Sequence, residues 1–60
     1  MEHAKFKAGD IISSGFHYYL ITANEFSLTG EQVYNYYDLS KHEESWAYVF
    51  WIDSDYRMVA

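Results

Sequence analysis

Apolar and polar positions alternate most plainly between Ser45 and Val59, SWAYVFWIDSDYRMV. In an extended chain Trp46, Tyr48, Phe50 and Ile52 fall on one side and Ala47, Val49 and Trp51 on the other, the period of two that marks a β-strand. Both sides are apolar, so the pattern predicts a strand covered on both faces. The tight acidic turn Asp53-Ser54-Asp55 then leads into a short closing strand, Tyr56 to Val59.

The rest of the chain reads the same way. Met1 to Lys5 is polar and is expected to fray. From Phe6 the run KFKAGDII predicts a first strand, bent at Gly9-Asp10 where glycine reaches dihedrals closed to other residues. Ser13-Ser14-Gly15 forms a turn. In the second strand, Phe16 to Ala23, Phe16, Tyr18, Leu20 and Thr22 oppose His17, Tyr19, Ile21 and Ala23. Asn24 to Gly30 is a wide turn whose Phe26 and Leu28 are expected to fold back over one end of the core. In a third strand, Glu31 to Ser40, Val33, Asn35, Tyr37 and Leu39 make the expected core face and Gln32, Tyr34, Tyr36 and Asp38 the other. Lys41 to Glu44 joins it to the long strand as a solvent-facing hairpin; a short helix over SKHEESWAY, capped by Ser40 with Glu43 completing a capping box, is the competing reading.

These elements predict an all-β fold, an SH3-like small barrel of about five antiparallel strands with room for one 3₁₀ or short helical turn. The whole 60-residue chain reads as one domain, with no proline linker, repeat or low-complexity segment. The likeness to SH3-type barrels rests on two segments. VFWIDSDYRMV resembles the end of such a barrel, where an apolar strand meets a one-turn connection and a last short strand that begins at an aromatic. FKAGDII resembles the first strand of many members, with a Gly-Asp pair before a buried aliphatic. The signature of the proline-binding members is missing: the chain has no proline, YNYYDL lies mid-chain and the tryptophans are not adjacent, so proline-groove binding is not implied. A short, acidic, tyrosine-rich chain of this kind is also similar to small proteins of phages and mobile elements.

Composition narrows the function. So short a chain buries only about 60% of its unfolded surface, and without cysteine it has neither disulfides nor thiolate metal sites. Its 4 Phe, 7 Tyr and 2 Trp must therefore fill the core or be covered by a second copy. A formal net charge of −5 disfavours direct binding to a phosphate backbone. No apolar run is long enough for a membrane span, and MEHAKFKAGD lacks the apolar stretch of a signal peptide, so the expected location is cytoplasmic.

No catalytic or metal-binding constellation emerges, and no cofactor is expected. His3, His17 and His42 share no ligand spacing, and the serines sit in turn contexts that account for them. What remains is an interaction surface, for a protein partner or a second copy of the chain. Tyr19, Tyr34, Tyr36 and Trp51, on the faces expected to be less buried, are the candidate contact residues, because tyrosine and tryptophan combine rigid area with a polar tip. The alternative is an acidic surface of Asp38, Glu43, Glu44, Asp53 and Asp55 that imitates a row of phosphates and occupies the cleft of a DNA-binding or DNA-processing protein.

Overall fold

A computed structural model describes residues 4–60. Five strands form one antiparallel sheet in the order β4-β3-β2-β1-β5: β1 is Ile11–Ser13, β2 Tyr18–Phe26, β3 Gln32–Asp38, β4 Glu43–Tyr48 and β5 Arg57–Met58. A short helix, α1 (Val49–Asp55), carries the chain from β4 to β5. These two strands are the outer members of the sheet and do not pair with each other, so the sheet is open. Of the start expected to fray, Met1 to Lys5, the first three residues lie outside the described residues, whereas Ala4 packs against the core and the Lys5 amide donates to Asp53 at 3.3 Å.

Paired residues share a face of an antiparallel sheet, and the registers therefore sort the side chains. Ile12, Tyr19, Asp38 and Glu43 form one row of the inner face; Ile21, Tyr36 and Ser45 form the next, and Asn24, Tyr34 and Ala47 a third. Over these rows lie Phe6, Val49, Ile52 and Tyr56, which complete the core. Ile12, Tyr34 and Ile52 are fully buried.

Three expectations change. The long strand stops at Tyr48, and residues 49–55 are helical. Val49, Ile52 and Tyr56 recur at helical spacing and all three are buried, whereas Phe50 and Trp51 face outward. With every residue from Trp46 to Ile52 apolar, strand and helix periods fit equally well, and the need to reach β5 across the inner face decides for the helix. Asp53-Ser54-Asp55 is its last turn, closed by the Tyr56 amide donating to the Ile52 carbonyl at 2.9 Å. At seven residues, and without a side-chain cap, α1 is held by packing more than by helix propensity.

The faces of β3 are also exchanged. Tyr34, Tyr36 and Asp38 point into the core; of the face expected inside, Val33 is buried but lies on the outer side, Asn35 and Tyr37 are half-buried there and Leu39 is exposed. Tyrosines on both sides left the periodicity without a clear sense. Finally, β2 runs on to Phe26, with an irregularity between Ile21 and Ala23, and the β2–β3 turn is confined to the residues beyond it. Phe26 and Leu28 are exposed and do not fold back over the core.

The β3–β4 connection is a hairpin, and the competing helix over residues 40–48 does not form. Asp38 organises it: one carboxylate oxygen accepts the amides of Ser40 at 2.9 Å and Lys41 at 3.1 Å, and its carbonyl accepts the His42 amide at 2.7 Å. His42 closes the turn with φ 58°, in the left-handed region. The bend expected at Gly9-Asp10 is present as a turn in which Asp10 accepts the Lys7 amide at 3.0 Å and Gly9 has φ 99°.

A polar relay fastens the helix and the N-terminal segment to the sheet. The Tyr34 hydroxyl accepts the buried Phe6 amide at 2.9 Å and donates to the Asp53 carboxylate at 2.8 Å. Tyr34→Phe keeps the ring and strips both partners. The expected loss is about 1–3 kcal/mol of unfolding free energy, the usual cost of leaving a buried polar group unpaired, measured by urea denaturation; an unchanged midpoint would show that the relay contributes nothing.

Candidate functional site

The outer face of the sheet carries its own rows: Ile11, Leu20, Tyr37 and Glu44; Ala23, Asn35 and Trp46; Glu25, Val33 and Tyr48. Among the described residues α1, the one helix, packs on the opposite side with the core, so this face has no covering layer. Two exposed rings, Trp46 and Phe50, and the half-buried Tyr48 between them meet at its β4 edge. Trp46, 55% exposed, meets Tyr48 edge-on with centroids 5.3 Å apart, and Tyr48 stacks on Phe50 at 5.7 Å. Phe50, at the start of α1, is 69% exposed. The three rings thus run from the free edge strand onto the helix as a continuous aromatic ladder; Trp51, the next residue of α1, is 51% exposed.

Of the aromatic residues expected to form a contact patch, only Trp51 is at the surface. Tyr19, Tyr34 and Tyr36 are core residues. Tyr19 lies between two other phenols, stacked on Tyr36 with centroids 4.1 Å apart and on Tyr56 at 5.1 Å. Sequence reasoning assigned Trp46 and Tyr48 to a covered strand and so missed the ladder; their position on an edge strand, which requires the whole sheet order, was the missing fact.

The five carboxylates of the acidic alternative are divided. Asp38 is buried in the hairpin turn, and Asp53 is engaged by Tyr34 and the Lys5 amide. Glu43, Glu44 and Asp55 are exposed, the glutamates at the start of β4 and Asp55 at the end of α1, next to β5 at the other edge of the sheet.

Two open clefts indent the surface. One, of about 300 Å³, lies between the β2–β3 hairpin and α1 and is lined by Phe26, Gly30, Glu31, Gln32, Val49 and Phe50. The other, of about 320 Å³, is more polar and is lined by Ser13, Ser14, Gly15, Tyr18, Asp55, Arg57 and Val59. No histidine lines either. His17 is exposed and its ring stacks on Tyr19 at 6.2 Å, and His42 closes the hairpin beside Tyr37. Among the described residues no group of three or more His, Asp or Glu side chains is placed to hold a metal ion, and no helix is long and apolar enough to cross a membrane.

Comparison with known proteins finds no matching family model, no similar curated protein and no similar solved structure.

Burial separates the tyrosines chemically. It pushes the Tyr19 phenol well above its ordinary value near 10, helped by hydrogen bonding to Tyr56 and by the neighbouring phenols. Burial likewise raises Tyr34; donation to Asp53 adds to this, while the Phe6 amide works against it. A phenol whose pKa is raised by folding contributes stability that is complete below the unfolded value and is lost as pH climbs toward the folded one. Alkaline titration followed by phenolate absorbance should therefore leave Tyr19 and Tyr34 un-ionised beyond the ordinary phenol value of about 10, and release both only as the protein unfolds. Ionisation of all seven tyrosines in a single step with the fold intact would contradict their burial.

Proposed function

We propose that this chain is a non-enzymatic protein-interaction module that self-associates through the aromatic outer face of its sheet, on an SH3-like small-barrel plan. The observation that carries the reading is the Trp46, Tyr48 and Phe50 ladder, held ring against ring from the edge strand onto α1 with Trp46 and Phe50 exposed. A small acidic domain that exposes so much aromatic area at one edge has an interface composition, rich in tryptophan, tyrosine and phenylalanine. The β4 backbone adds to it, because an edge strand presents unpaired amides and carbonyls to a further strand.

Size is consistent with this. A standard interface takes about 800 Å² from each partner, about a fifth of the 4289 Å² that the chain exposes. Pairing of two β4 strands about a two-fold axis through Trp46 sets Trp46 beside its counterpart and Glu44 beside Tyr48, so the like charges of Glu44 do not meet. For the fold, the pairing of β5 with β1 supports the small-barrel reading: it brings the last strand beside the first, and α1 stands where the SH3-type barrel has its one-turn connection. A location in the cytoplasm belongs to the same proposal.

Light scattering across a dilution series tests it. The expected result is a mass that rises from monomer to dimer with concentration and varies little with salt, because apolar contacts are weakly screened. Trp46→Glu should hold the chain as a folded monomer. A wild-type chain that stays monomeric at every concentration would sink self-association, and association that weakens steeply with salt would shift the reading to the acidic surface.

A further inference from the structure

The cleft between the β2–β3 hairpin and α1 has the chemistry of a second, separate binding site. Its apolar walls are Phe26, 68% exposed, together with Phe50 and Val49. At about 300 Å³ it is at the small end of ligand pockets and admits a side chain more readily than a folded surface. Two of its polar groups lack partners. Gln32 donates through Nε2 to Asn24 Oδ1 at 2.9 Å, yet its own Oε1 is shut off from solvent and meets no donor, and a buried acceptor in that condition calls for an explanation. Glu31 is exposed, and the only ion pair among the described residues joins Lys7 to Asp10.

The basic side chains are all engaged or placed elsewhere. Lys5 sits over the Phe6 ring, Lys7 pairs with Asp10, Lys41 lies in the β3–β4 turn at the opposite end of the sheet, and Arg57 lines the other cleft. The cleft is therefore apolar and acidic at its rim. We propose that it takes a short basic segment of a partner protein, seating an aliphatic side chain between Phe26 and Phe50 and a cationic side chain beside Glu31. Charge complementarity argues against a second copy of this chain as occupant, since the chain carries nine acidic against four basic residues.

The test uses the ¹⁵N-labelled chain with two peptides, acetyl-Lys-Leu-Leu-Lys-amide and acetyl-Glu-Leu-Leu-Glu-amide, followed by amide chemical shifts. The basic peptide should move the resonances of Phe26, Gly30, Glu31, Gln32 and Phe50, and the acidic peptide should not. Glu31→Gln should weaken binding about two- to fivefold, in keeping with a solvent-exposed ion pair, and Phe26→Ala about tenfold or more. Phe50 borders both the ladder and the cleft, so the titration is repeated in Trp46→Glu: shifts that persist there separate this site from self-association. No shifts with the basic peptide, equal shifts with the acidic one, or shifts confined to the outer face would overturn the proposal.

Discussion

The Tyr34 hydroxyl is the point at which the layers of this molecule are fastened together. One phenol on the central part of the sheet accepts from the N-terminal segment at Phe6 and donates to the helix at Asp53. Without it the inner face would still be apolar, but nothing directional would set the position of Phe6 or of α1, and apolar contact alone specifies position poorly. The relay also explains why a seven-residue helix with no capping side chain persists: Val49 and Ile52 bury its apolar side while Asp53 gives it a hydrogen-bonded anchor. The Tyr36, Tyr19 and Tyr56 stack repeats the arrangement across β3, β2 and the segment leading into β5, each ring contributing area together with a preferred orientation.

Much of the sheet was legible in the sequence, and the places where the reading failed share a physical cause. Alternation located β2, β3 and the Trp46 to Tyr48 half of β4 because these stretches are rich in aromatic or β-branched residues. It could not tell which face of β3 was inside, because Tyr34 and Tyr36 on one side and Tyr37 on the other are equally fit for a core. Nor could it choose strand or helix for VFWIDSD, where a continuous apolar run satisfies both periods. Tertiary geometry settled both: the chain must return from one edge of the sheet to the other, and the short route passes beneath the inner face.

The same ambiguity hid the surface features. Rich aromatic content implied both a core and an interface, but the division of individual residues between them depended on face and edge. Tyr19, Tyr34 and Tyr36 went inside; Trp46, Tyr48 and Phe50 were left at the edge. Charge suffered similarly, since a carboxylate that organises a turn, as Asp38 does, looks no different in sequence from one that faces solvent.

The order of the strands also bears on how the chain reaches this state. β2, β3 and β4 are joined by tight turns and form a meander from neighbouring segments, so their pairing closes only short loops. The β1–β5 seam is of another kind: it joins Ile12 to Met58 and Ser13 to Arg57, and it spans most of the chain for two pairs of residues. Entropy places such a contact late, after α1 has crossed the meander and delivered Arg57 to its partner. The seam is also the pairing with the fewest partners in the sheet. When it parts, β1 loses one neighbour and the strand becomes a template, and at high concentration the segment it accepts need not come from its own chain.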